Sequence, residues 1–101
     1  MIEEFEVTLA LQQFYAEAWE SGVWIREYGI SETSGLCTAI AGARKELEAF
    51  ERKVGREVEW QEFKYGDALE AGGVLGYGKD RLSACQEAFR LTKEKMSKEA
   101  S

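Results

Sequence analysis

The chain is 101 residues long, carries a formal net charge of −6 and contains no histidine, which bounds it to a single domain over 1–101 with one modest interior and removes the commonest general base and metal ligand. Its two cysteines cannot complete a structural zinc site, and neither a Ser-His-Asp nor a Cys-His arrangement can form. Composition therefore argues against most hydrolases and metalloenzymes, and for a non-enzymatic domain that uses no metal or cofactor.

Apolar runs are far shorter than the roughly 20 residues that span a bilayer, and no basic-then-apolar leader opens the chain. The expectation is a soluble, cytoplasmic protein. Cys37 and Cys85 each sit among apolar neighbours, as buried free thiols do.

The charge is unevenly spread. Residues 1–43 hold seven carboxylates (Glu3, Glu4, Glu6, Glu17, Glu20, Glu27 and Glu32) against Arg26 alone, whereas 44–101 hold twelve charges of each sign. Phe5, Phe14, Tyr15, Trp19, Trp24 and Tyr28 lie among those carboxylates.

The first element predicted is a helix over about 4–28, because Val7, Leu11, Phe14, Ala18, Ser21, Ile25 and Tyr28 alternate four and three apart. Gly29 would end it in the left-handed conformation, Gly22 weakens its middle, and the alternation of Phe5, Val7, Leu9 and Leu11 competes as a strand. Ser31 to Ser34 offers caps for a second helix, whose stripe is Leu36, Ile40, Ala43, Leu47, Phe50 and Val54 and whose end is Gly55. The short connection makes these two helices an antiparallel hairpin. Alternation from Glu57 to Trp60, continued with opposite parity by Phe63 and Tyr65, predicts a bent strand; Gly66 and Asp67 signal a turn, and 69–77 reads as a glycine-rich return strand. Asp80 then caps a last helix that turns Leu82, Cys85, Ala88, Phe89 and Met96 inward. The fold expected is α+β: an antiparallel helical hairpin, a β-hairpin and a C-terminal helix.

Two segments invite functional readings. Gly73 to Lys79 has the spacing G-x-x-x-x-G-K and over those residues resembles the phosphate loop of P-loop NTPases. Asp80 stands where that family needs Ser or Thr for the metal ion, so the resemblance implies at most a non-catalytic nucleotide or phosphate site at Gly76, Gly78, Lys79 and Arg81. A bent strand and tight turn explain the same glycines without a ligand. The other segment is the acidic, aromatic first helix. Trp19 lies outside its apolar stripe and Trp24 only flanks it, so Glu17, Trp19, Glu20, Trp24 and Glu27 form the candidate face for a partner with a basic surface. Solubility and the helix dipole account for the same carboxylates in a bland reading.

Direct nucleic-acid binding is disfavoured, since no basic stripe exists. A negative surface could instead occupy the basic groove of a nucleic-acid-binding protein, inhibiting or adapting it. In size, acidity and lack of catalytic groups the chain is similar in type to small phage-encoded inhibitors of bacterial defence, such as anti-CRISPR proteins. The large apolar area of the first helix further predicts a homodimer.

Overall fold

A computed structural model describes residues 2–100. Within them the chain is α+β, with four α-helices and a three-stranded antiparallel sheet. The order is α1 (Ile2–Glu20), β1 (Val23–Ile30), β2 (Cys37–Ala43), α2 (Arg44–Val54), a 3-10 turn (Trp60–Glu62), α3 (Tyr65–Glu70), β3 (Val74–Gly78) and α4 (Arg81–Ala100). The strands lie in the order β1-β2-β3.

Where periodicity predicts a helical hairpin over 4–54, a β-hairpin occupies 23–43. Helix α1 stops because Gly22 takes φ +92, and Ser21 N–H and Gly22 N–H close the last turn on Ala18 O and Trp19 O at 3.0 Å each. Val23, Trp24 and Ile25 then form an unbroken buried run, as expected of a strand covered on both faces. Val23 and Ile25 enter one core with Leu11, Ala18, Ala39, Ala41, Ala84, Cys85 and Ala88. Trp24 enters the other with Ile40, Leu47, Phe63, Ala68 and Ala71. The 4/3 spacing of Ser21, Ile25 and Tyr28 was therefore a coincidence of two elements.

Strand β2 is central, and everything from Thr38 to Ala43 is buried. Its alanines favour helix intrinsically, but a strand sandwiched between helices needs small side chains, and tertiary packing overrides propensity. The ladder runs from Val23 opposite Ala43 to Ile30 opposite Cys37, with a bulge at Tyr28 where Gly29 takes φ +81. Gly29 does adopt the left-handed conformation expected of it, inside a hairpin and not at a helix end.

Helices α1 and α4 cover the Val23 and Ile25 face; α2, α3 and the 3-10 turn cover the Trp24 and Ile40 face. The predicted first and second helices are thus not antiparallel neighbours. Helix α2 ends at Gly55 (φ 77), whose N–H bonds Glu51 O, as its sequence foretells. The strand expected over 57–65 is a 3-10 turn running into α3. Helix α4 opens at Asp80, whose Oδ1 accepts Ser83 N–H at 2.8 Å, a capping contact that holds the carboxyl below its ordinary value. No helix among the described residues is long and apolar enough to cross a membrane.

Candidate functional site

The residues proposed for a partner face do not share one. Glu17, Trp19 and Glu20 stand on the last turns of α1, with both carboxylates exposed. Trp24 is 1% exposed, pressed edge-on against Phe63 at 5.6 Å with its ring over Gly42, so it cannot anchor a partner. Its indole N–H has no hydrogen-bond partner. Glu27 lies on the other side of the sheet, held by Arg81 at 2.7 and 3.2 Å and by the Tyr15 hydroxyl.

That Glu27 cluster ties α1, β1 and α4 together. Burial works against the Glu27 charge, but the Arg81 and Tyr15 hydrogen bonds outweigh it and hold the carboxyl below its ordinary value. Burial and the bond to Glu27 push the Tyr15 hydroxyl far above the usual phenol range. Burial also drives the Cys85 thiol, 3.8 Å from that hydroxyl, up to about 12. Tyr15 is accordingly a fixed donor, and Cys85 is an inert thiol at neutral pH. Both cysteines are free, Cys85 buried and Cys37 half-buried.

The glycine-rich segment does not assemble a phosphate cradle. A Cβ at Gly76 would fall on the Ala88 backbone nitrogen, and one at Gly78 on that of Ala84. These glycines let α4 lie directly on β3. Asp80 already caps the helix start, Arg81 is engaged by Glu27, and Lys79 projects from the exposed turn between strand and helix.

What the fold does build is an acidic cleft of about 710 Å³ between the end of α1, α2 and the 58–62 segment. Trp19 and Trp60 form its apolar lining with Leu47 and Val58. The two indoles stack at 5.7 Å with an interplanar angle of 23°. Arg44 lies 4.2 Å above the Trp19 ring and donates from Nη1 to Trp19 O at 3.2 Å. Around them stand Glu48, Glu51, Glu59 and Glu62, four carboxylates to the one guanidinium.

The cleft is held by its surroundings. Glu51 Oε2 accepts Val58 N–H at 3.0 Å, tying the loop to α2. Phe63 packs edge-on against both Trp24 and Phe50, and its carbonyl accepts Tyr28 Oη at 2.9 Å and Arg26 Nε at 3.2 Å. Burial lifts the Tyr28 hydroxyl, keeping it a donor. A second groove of about 350 Å³ shares Val58, Glu59 and Glu62 and adds Asp67 and Glu70 against Arg56, which extends the acidic surface toward α3.

Chemically, stacked indoles ringed by carboxylates, of which Glu48, Glu59 and Glu62 are exposed, suit a cation, and Arg44 on Trp19 is a resident example. Among the described residues no group of three or more Asp, Glu, Cys or His side chains could hold a metal ion. Of the predicted residues only Trp19 lines the cleft. Trp60, Glu48, Glu51, Glu59 and Glu62 come from the half whose charges cancel in number, so a count by halves hides them; the run Glu57, Glu59, Trp60, Glu62 was their one local signal. No protein-family model matches the chain, and neither a curated protein nor a solved structure matches it.

Proposed function

We propose that this protein is a non-enzymatic interaction module that binds a partner with a basic surface, taking an arginine or lysine side chain of that partner into the cleft between α2 and the 58–62 segment. The observation that carries the reading is the excess of carboxylates around the stacked Trp19 and Trp60. An aliphatic stem would lie on the Trp60 indole, Leu47 and Val58, while its charged head meets Glu48, Glu59 and Glu62. The class of partner that fits is a protein whose basic groove normally holds a nucleic-acid backbone, and occupying that groove would block or adapt it. Glu17 and Glu20, exposed on α1, contribute to encounter rather than to lifetime.

The test is calorimetric titration with an oligoarginine peptide, using oligoglutamate as the control. Trp60→Ala is expected to weaken binding by about 2 kcal/mol, roughly 30-fold, as loss of a buried aromatic anchor does. Glu59→Lys with Glu62→Lys should abolish it, whereas Glu17→Lys with Glu20→Lys should mainly slow association and flatten its salt dependence. Unchanged affinity in the Glu59 and Glu62 double reversal would show that the cleft is not the site.

A further inference from the structure

A second surface is built for a different occupant. β3 is an outer strand of the sheet, and its pairing with β2 uses only one side of its backbone. Unpaired strand edges are normally blunted by charge, proline or a covering element. At the opposite edge the strand does carry charge, since β1 contains Arg26 and Glu27. Val74 to Gly78 contains no charged residue and no proline, and leaves Tyr77 44% exposed.

Beside this edge runs a mostly apolar groove of about 410 Å³, in which Val74 of β3 faces Leu91 of α4. Its rim is Glu94, Lys95, Lys98 and Glu99, equal numbers of acids and bases. A strongly basic or acidic partner would meet as much repulsion as attraction there. A two-fold copy would not, because an isologous contact can bring the acids of one rim to the bases of the other. Glu94 and Glu99 presently face Arg90 and Lys45 in exposed pairs at 3.0 and 3.6 Å, which are weak enough to exchange partners.

We propose that the outer edge of β3 and the Val74–Leu91 groove are the interface of a homodimer, in which β3 pairs antiparallel with β3 of a second copy and the two α4 helices flank the two-fold axis. The two three-stranded sheets become one continuous sheet whose outer edges are the guarded β1 strands. The homodimer contact expected from the sequence on the first helix would lie instead at the strand edge and α4. The inference does not depend on what the acidic cleft binds.

Sedimentation equilibrium of the intact chain at micromolar concentrations, combined with amide hydrogen exchange, tests it. The expected result is a dimer in which the β3 amides that point away from β2 exchange slowly, converted by Leu91→Glu to a monomer in which those outward amides exchange fast, with unchanged far-UV circular dichroism. Should Leu91→Glu fail to fold, Lys98→Glu, a change at an exposed rim residue, is expected to weaken the dimer about tenfold by placing acid against acid. A monomeric wild-type chain overturns the proposal, as does a dimer unaffected by Lys98→Glu whose β3 amides exchange no more slowly than in the monomer.

Discussion

Glu27 shows how one side chain can be spoken for by the fold. Its two oxygens take a bidentate guanidinium and a phenol, from α4 and α1 respectively, while it sits on β1. Because its folded pKa lies below the ordinary carboxylate value, the stabilisation is fully present above that ordinary value, near pH 4.5, and is lost as pH falls through the lower, folded one. Glu27→Gln keeps the size but not the charge. Urea denaturation across an acid pH series should find this variant about 1–2 kcal/mol less stable at neutral pH, the scale of a charge-assisted hydrogen bond, and less sensitive to pH below 5. A variant that keeps the wild-type acid slope would mean that other carboxylates carry it. Trp24 teaches the complementary lesson: its ring lies within 2.6 Å of where a Cβ on Gly42 would be, so a tryptophan beside a helical stripe was a core residue awaiting a glycine on the next strand.

Between elements, the tightest fit is β3 on α4. Gly76→Ala would put a methyl onto the Ala88 backbone nitrogen, and no trimming of a neighbouring side chain can relieve a backbone clash. A loss of about 1–3 kcal/mol or more is expected from such overpacking, read as a lower urea midpoint, and Ala88→Gly should not restore it. If Gly76→Ala were as stable as wild type, the close packing of strand and helix would be wrong and the segment would again be open to a ligand. The element that carries the Asp80 cap was legible because its signal is local, and so was the Gly55 stop of α2. β1 and β2 were not, since strands buried on both faces lose the period of two, and the alanines of β2 are dictated by the helices above and below it. The cleft was legible only at Trp19. Trp60 reaches it by opening a 3-10 turn, and the alternation of Glu57, Val58, Glu59 and Trp60 that leads into that turn imitates a strand.

For the molecule as a whole, the two proposed surfaces lie on opposite sides of β2. The cleft is built at the β1 side, where the 3-10 turn packs on that strand, and the dimer edge is β3, on the far side of β2. Joining two copies through β3 would leave both acidic clefts open, giving a bivalent particle with twice the net charge of −6. Valency and charge then separate experimentally. In solution, a single oligoarginine peptide should bind each cleft of wild type and of Leu91→Glu with equal affinity, because the contacts are the same. On a sensor surface dense in that peptide, the wild-type dimer should dissociate more slowly by about 10²-fold, the lower range expected when a second binding event becomes intramolecular, and raising salt should erase the difference by screening both contacts. Equal dissociation rates on the dense surface, with the dimer intact by light scattering, would mean that the two clefts cannot engage one partner surface at once and that dimerisation serves stability alone.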